Sequence, residues 1–481
     1  MSPCMDSFDE VKYKELMDGH ECCEVLLSEL DPTKRLDAEY YAKEYIYEME
    51  RLQKRRHFAL KERYKVTDKE HGSVEYLDNG VRYLTAENIK KGFVDLTKVR
   101  YVSEAVDKRN ARASVRAEDI LISIKGTLGS VTVATNDLLP CNMNRDVEVI
   151  KPLSPDLKAN HFLALFLMGK YGALQSRRGG SGGVQQMITL GRLGEFIIPA
   201  FGEELYEAVR SAYELFLDLT ARSKRIFAET EAYLLEQLGI NMVAFENRNA
   251  TIKTLGNTFQ ITGRLDAEYY QDGIDKLIEA LQTTATIGSA CNIYDRIYVP
   301  DRNTKYQYIE LSNIGKNGEI EDVEMIPGAD LPSRARRVVR AGQIIASSIE
   351  GSLESCALVT PEYDHAFCST GFYVIDSCQY NSETLLVLLK SMPIQRLLKR
   401  GCSGTILTNI TKDEFSKIPL PKVSDSVQEA IKARITLAYE SRSRSKRILE
   451  YARQSVEKAI EEGESLAVSW LTAKMNESDS A

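Results

Sequence analysis

The sequence predicts an α+β chain: two tandem domains of mixed α/β structure, each followed by a long helix, with the two helices packed on one another. Three observations carry this. The heptapeptide RLDAEYY occurs twice, at 35–41 and 264–270. Short β-branched runs punctuated by glycine follow each occurrence in the same order. Each copy then closes with an amphipathic run far longer than a usual globular helix.

The duplication extends through the chain. YLTAENI (83–89) matches YIELSNI (308–314), and Val115-Arg116-Ala117 matches Val339-Arg340-Ala341. Ile124 to Leu128 matches Ile349 to Leu353, Ser181-Gly182 matches Ser403-Gly404, and Ile188-Thr189 through Pro199 matches Ile410-Thr411 through Pro421. Ser223 to Ile226 matches Ser445 to Ile448. The chain is two copies of one unit of roughly 225 residues. Between the anchors the copies differ, as two modules with one framework and two targets would.

Within each copy a polar helix is expected first, over 42–63 and 271–282. VRAEDILISIKGTLGSVTVAT (115–135) and RAGQIIASSIEGSLESCALVT (340–360) read as strands joined by tight turns. Helices are expected over 162–174 and 384–399, each before a glycine-bearing loop. Pro199, Pro419 and Pro421 end the globular parts. Then come the long stripes. Leu205, Val209, Ala212, Phe216, Leu219, Ile226, Tyr233 and Leu234 recur at steps of three and four, as do Val427, Ile431, Ile435, Ala438, Leu449, Ala452, Val456 and Ala459. Neither helix can bury such a stripe alone. They pack on each other or, alternatively, each on its own domain. The expected boundaries are 1–202 and 243–424 for the domains, 203–242 and 425–462 for the helices, and 463–481 for a polar tail.

Composition limits the function. The 481 residues carry a net charge of −8, which argues against a small, wholly basic DNA binder. Local basic strips do occur: Arg51, Lys54, Arg55 and Arg56; Arg334, Arg336, Arg337 and Arg340; Arg442, Arg444, Lys446 and Arg447. Each is a solvated face or a binding strip. Nine cysteines without a CxxC pair suit a reducing cytoplasm. No run reaches the 18 or so apolar residues of a membrane span. Residues 1–30 carry eight acidic side chains and do not read as a signal peptide.

Catalytic motifs are missing. The sequence has no GK[ST] phosphate loop, no HExxH or paired Cys/His ligand set, no GxSxG elbow, no Asn/Asp-Pro-Pro-aromatic run and no Asp…Glu-x-Lys nuclease set. Neither a cofactor nor a metal is expected. Gly182-Gly183 beside Arg177-Arg178 is either a phosphate cradle or a plain loop. The acids of RLDAEYY read as structural, with Asp37 and Glu39 in a first helical turn and Tyr40-Tyr41 packed beneath.

The ordered duplication resembles the specificity subunit of type I restriction–modification systems over roughly residues 25–460. The residues that carry the likeness are the two RLDAEYY copies, ILISIKGTLGS with IIASSIEGSLES, ITLGRLGEFIIPA with ITKDEFSKIPLPK, and the helix ending each copy. Copy two keeps the family's SGT-x-x-x-x-I pattern as SGTILTNIT, whereas copy one has SGGVQQMIT. The resemblance implies two target-recognition domains that read a split, asymmetric DNA site, and an antiparallel coiled coil that spaces them. It implies a non-catalytic subunit docking two methyltransferase subunits, which methylate adenine, and restriction/translocase subunits. A recognition subunit of a type IIB-like defence complex, or a protein-binding coiled-coil scaffold, are the alternatives.

Sequence specificity requires side chains at base edges, on loops that differ between copies. The candidates in copy one are Lys125, Thr127, Asn144, Arg145, Arg177, Arg178, Gln185 and Gln186. Those in copy two are Ser352, Ser369, Thr370, Arg396, Lys399, Arg400, Ser403 and Thr405.

Overall fold

A computed structural model describes residues 9–19, 24–30, 36–67, 74–96, 98–125, 129–154, 158–179, 188–245, 252–267, 269–321, 323–403 and 408–480. The chain divides into two compact units. One is Met1–Asp218 with Arg444–Ala481; the other is Leu219–Ser443. Each contains one copy of the repeat and part of both long helices.

In the first unit, strands β1 (His57–Ala59), β2 (Tyr64–Thr67), β3 (Val81–Leu84), β4 (Arg100–Val102), β5 (Ile120–Ser123), β6 (Val131–Val133), β7 (Cys141–Met143), β8 (Val147–Pro152) and β9 (Ile197–Pro199) form three sheets. Their orders are β2-β8-β5-β6, β4-β3-β7 and β1-β9. Ile120 to Ser123 are all buried, which is why β5 reads as an unbroken apolar run rather than an alternation. In the second unit, β10 (Cys291–Tyr294), β11 (Lys305–Ile309), β12 (Glu324–Pro327), β13 (Ala335–Val338), β14 (Ile344–Ser347), β15 (Cys356–Leu358), β16 (Phe367–Ser369) and β17 (Phe372–Ser377) follow. Their orders are β10-β17-β14-β15 and β12-β11-β16-β13. The topology of copy one therefore recurs, including the parallel pairing of β3 with β7 and of β11 with β16. Copy two differs in β13, whose counterpart Ala111–Ala113 is a single 3-10 turn, and in the β1–β9 pair, which it reduces to a bridge between Thr286 and Pro419.

Three helical expectations change. The polar helix of copy one spans Lys43–Gln53, not 42–63; its partner spans Asp272–Ala280. The sequence after Gln53 leaves the helix because β1 finds a partner in β9, and Leu60 N donates to Phe196 O at 2.9 Å. The helix expected over 162–174 is two, Asn160–Met168 and Lys170–Gly179. The break at Gly169 brings residue 172 so close to its predecessor that a Cβ there would lie 2.4 Å from Leu167 Cα. In copy two the split falls between Ser382–Lys390 and Met392–Gly401, with Pro393 in the first turn of the second helix.

The long helices are Glu203–Gln237 (central) and Asp425–Glu461 (distal). They run antiparallel. In the first unit Phe216 and Leu449 close together over Gly92, and Gly202 N, at the start of the central helix, bonds the Glu464 carboxylate just beyond the distal one at 2.9 Å. In the second unit Arg442 Nη1 donates to Thr220 Oγ1 at 3.4 Å, and Arg434 stacks 4.4 Å from the Tyr233 ring. Leu205, Val209, Ala212, Phe216 and Leu219 are buried, as are Ile431, Ile435, Ala438, Ala452, Val456 and Ala459. The segment 463–481, expected as a polar tail, contains a helix, Glu464–Ser480. It turns back at Gly463 (φ 115°) and lies along the distal helix: Trp470 sits edge-on to Tyr451 and Arg444 Nε donates to Ser478 Oγ at 3.2 Å. Ala467 and Leu471, one turn apart, supply its buried face.

Each domain is fastened to the long helix that follows it by the same hydrogen bond. Tyr213 Oη donates to Gly92 O at 3.0 Å, and Tyr439 Oη donates to Gly318 O at 2.9 Å. Both glycines hold positive φ, 84° and 80°, and both lie where a Cβ would press on packed side chains. Tyr213 Oη also accepts from Val133 N at 3.1 Å, and burial pushes its pKa up to about 12. Tyr213→Phe leaves the buried Gly92 carbonyl unpaired, whereas after Tyr439→Phe the Gly318 carbonyl keeps its bond from Leu358 N at 3.3 Å. Tyr213→Phe should therefore cost about 1–3 kcal/mol in chemical denaturation and Tyr439→Phe about 0.5–1.5 kcal/mol; an unchanged midpoint would show the bond to be dispensable.

Candidate nucleic-acid interface

In both copies three loops meet at one end of the large sheet. In copy one these are the segment after β5, the turn between β7 and β8, and the start of the ITLGRLG segment. Ile124 N donates to Asp146 O at 3.0 Å, and Ile188 N donates to Ile124 O at 3.4 Å. Asp146 organises the side chains. Its carboxylate accepts from Asn144 Nδ2 at 2.8 Å and lies 3.9 Å from Lys125 Nζ and 4.0 Å from Arg145 Nε. Its own N–H bonds Asn144 Oδ1 at 3.0 Å. Arg145 remains 65% exposed and points a cation outward from this frame. Lys125, Asn144 and Arg145 are thus brought together, around an aspartate that the sequence reading passed over. Asn-Arg-Asp between two strands is itself a turn signal.

Copy two builds the same junction from different side chains. Ser348 N and Oγ both donate to Gly371 O, at 2.8 and 2.9 Å, Ile410 N donates to Ser348 O at 2.8 Å, and Glu350 N donates to Thr408 O at 3.1 Å. Ser352 Oγ lies 3.0 Å from Ser347 Oγ. Ser369 is buried, accepting from Gly371 N at 3.2 Å, while Thr370 is exposed. Where copy one has Lys125 and Arg145, copy two has Glu350 and Thr370. Cations enter instead from β13: Thr370 N donates to Arg334 O at 2.9 Å, and Arg337 Nη1 donates to Thr370 O at 3.1 Å. Thr127, Gln185, Gln186 and Thr405 lie outside the described residues, as does the side chain of Ser403, whose backbone pairs with Asn409.

The remaining candidates form a second repeated device. Arg178 Nε donates to Tyr40 O at 3.1 Å and its guanidinium stacks 4.3 Å from the Tyr40 ring. Arg400 Nε donates to Tyr269 O at 2.9 Å and stacks 4.2 Å from the Tyr269 ring. These tyrosines are the same residue of RLDAEYY. A planar guanidinium can stack and donate at once, so the motif is pinned to its domain by arginine in particular. Their sequence neighbours Arg177 and Lys399 are exposed. Arg396 Nη1 donates to Phe245 O at 2.9 Å. The acids of the motif are structural where described: Arg264 holds Asp266 through two bonds of 2.9 and 2.7 Å, and this pairing lowers the Asp266 pKa. Among the described residues, no His/Cys/Asp/Glu cluster could hold a metal, and no helix is long and apolar enough to cross a membrane.

Residues 59–200 match the family model described as the type I restriction modification DNA specificity domain. The match lies within the first copy, which is similar to that domain. A 153-residue stretch of the chain is 25% identical to the type I restriction enzyme EcoBI specificity subunit of Escherichia coli, covering 31% of each protein. The chain therefore spans about a third of that relative's length. Among solved structures, it is similar to a type I restriction–modification S subunit from M. genitalium, with 15% identity and a TM-score of 0.38, over 84% of this chain and 95% of that one. It is also similar to the HsdS subunit from Thermoanaerobacter tengcongensis, with 12% identity and a TM-score of 0.25, over 88% and 96%. The match to the specificity domain agrees with the resemblance drawn from the duplicated sequence.

The stacked arginines and their exposed neighbours should separate cleanly. Arg178→Lys and Arg400→Lys keep the charge and lose the stacked plane, and should each lower stability by about 1–2 kcal/mol. Arg177→Ala and Lys399→Ala should stay within about 0.5 kcal/mol of the parent. Equal losses at all four positions, measured by denaturant unfolding, would contradict the assignment.

Proposed function

We propose that this chain is the sequence-reading subunit of a type I restriction–modification complex. Each copy reads one half of a split, asymmetric DNA site. The observation that carries this reading is the three-loop junction, built twice on one backbone plan and dressed with different side chains. Lys125, Asn144 and Arg145 face the first half-site, with Ser352 and Thr370 in the corresponding place for the second and the buried Ser369 bracing the turn beneath Thr370. Exposed Arg177 and Lys399 suit phosphate contacts, while Arg178 and Arg400 hold the frame. Domains of 1–202 and 243–424 joined by the helices are consistent with the repeat. The chain supplies recognition only. Methyltransferase subunits, two by the symmetry of the repeat, supply adenine methylation from S-adenosylmethionine, and restriction/translocase subunits supply cleavage, in the cytoplasm.

The paired helices set the distance between half-sites. At about 1.5 Å per residue each spans about 50 Å. Mapping methylated adenines genome-wide with and without the gene should reveal one split, non-palindromic motif that depends on it. A palindromic or unsplit motif contradicts the reading. Inserting four residues into both helices, before Thr220 and after Arg442, adds roughly 6 Å, close to two base pairs at about 3.4 Å each. The spacer should lengthen by one or two base pairs with both half-site sequences intact. An active variant that keeps the original spacer would show that the helices do not set it.

A further inference from the structure

The strand β13 has no strand counterpart in copy one, where the matching residues Ala111–Ala113 form a 3-10 turn, so it lies outside the framework the copies share. It is the edge strand of its sheet, paired only with β16. The pairing slips between Ala335, opposite Ser369, and Arg337, opposite Cys368, which leaves Arg336 as the bulged residue. A bulge turns its side chain away from the sheet and re-aims it. Arg336 is held in that pose from two sides: Tyr298 N donates to its carbonyl at 2.8 Å, and its own Nε donates to Ser333 O at 2.9 Å. Its terminal nitrogens make no hydrogen bond among the described residues. The neighbouring arginine is differently employed. Arg337 folds inward, bonding Thr370 O and Phe372 O beneath the strand.

The crossing segment 295–299 adds to this surface. Ile297, Tyr298 and Val299 are exposed, Val299 to 82%, and Arg296 stacks 5.0 Å from the Tyr298 ring. Segments 295–302 and 333–340 together carry six arginines against two aspartates, and one of those aspartates, Asp295, is paired with Lys412. In a chain of net charge −8, such a local surplus of fixed cations suits a polyanion. A narrow edge element with a half-exposed guanidinium, flanked by exposed apolar side chains, suits the major groove, where bidentate arginine reads guanine and apolar side chains meet the thymine methyl.

We propose that the β13 bulge and segment 295–299 form the groove-reading surface of copy two, with Arg336 reading a guanine edge and Arg296 and Arg334 contacting phosphates. This rests on the DNA-recognition reading above and assigns residues to its second half-site.

The test uses the full chain in complex with its methyltransferase subunit and duplexes carrying the mapped site, each with one base pair changed. The wild-type complex should prefer the native guanine in the second half-site by about 5- to 100-fold. Arg336→Ala and Arg336→Lys should both lose that preference at one position and keep every preference in the first half-site. Arg296→Ala should weaken all duplexes alike and reduce the salt slope by about one. The proposal is overturned if both Arg336 variants retain full discrimination. It is also overturned if Arg336→Ala weakens all sequences equally and Arg336→Lys restores them, since Arg336 would then be a phosphate contact. A wild-type complex that prefers no split site would instead refute the functional reading itself.

Discussion

A helix of 35 residues with an apolar stripe along its length cannot stand in water unpartnered. The central and distal helices meet that requirement by packing on each other and on the core of the domain in each unit, and both units depend on it. The stripe residues Leu205, Val209, Ala212 and Phe216 with Ala452, Val456 and Ala459 are buried in the first unit, and Ile431, Ile435 and Ala438 in the second. The return helix Glu464–Ser480 adds a third partner in the first unit. Its Glu464 carboxylate accepts from Gly202 N at 2.9 Å, where the central helix begins and its dipole favours an anion.

What the two copies keep in common is attachment. Tyr213 with Gly92 and Tyr439 with Gly318 join each domain to its helix through one hydrogen bond to a left-handed glycine. Arg178 with Tyr40 and Arg400 with Tyr269 join each RLDAEYY motif to the body of its domain. These residues repeat because the geometry they meet repeats. A phenylalanine, a lysine or an alanine in the respective places would lose the donor, the stacked plane or the room.

What the copies do not share is the chemistry at the loop junction. Copy one gathers Lys125, Asn144 and Arg145 around Asp146; copy two gathers hydroxyls and brings its cations from an added strand. Backbone hydrogen bonds hold the junction in both, so side chains can change without loss of the frame. That separation of a fixed scaffold from variable contacts suits a reader whose targets differ between halves.

The duplication, the order of elements and the two long stripes were legible in the sequence, because identity at a fixed spacing and a 3.6-residue period need no tertiary information. RLDAEYY was also legible as structural, but its described acid Asp266 is held by Arg264 and not in the first turn of a helix. Which cations face outward was not legible. Arg177 and Arg178 are adjacent, yet only a neighbouring Tyr40 ring, brought in by folding, turns one inward. The helix expected over 42–63 yielded to β1 because pairing with distant β9 outweighs local propensity. The edge strand β13 and its bulge at Arg336 arise from pairing with β16, which lies beyond two intervening strands in the sequence, and no local pattern encodes a slipped register. Local periodicity determined the architecture. Long-range pairing decided which side chains the architecture presents.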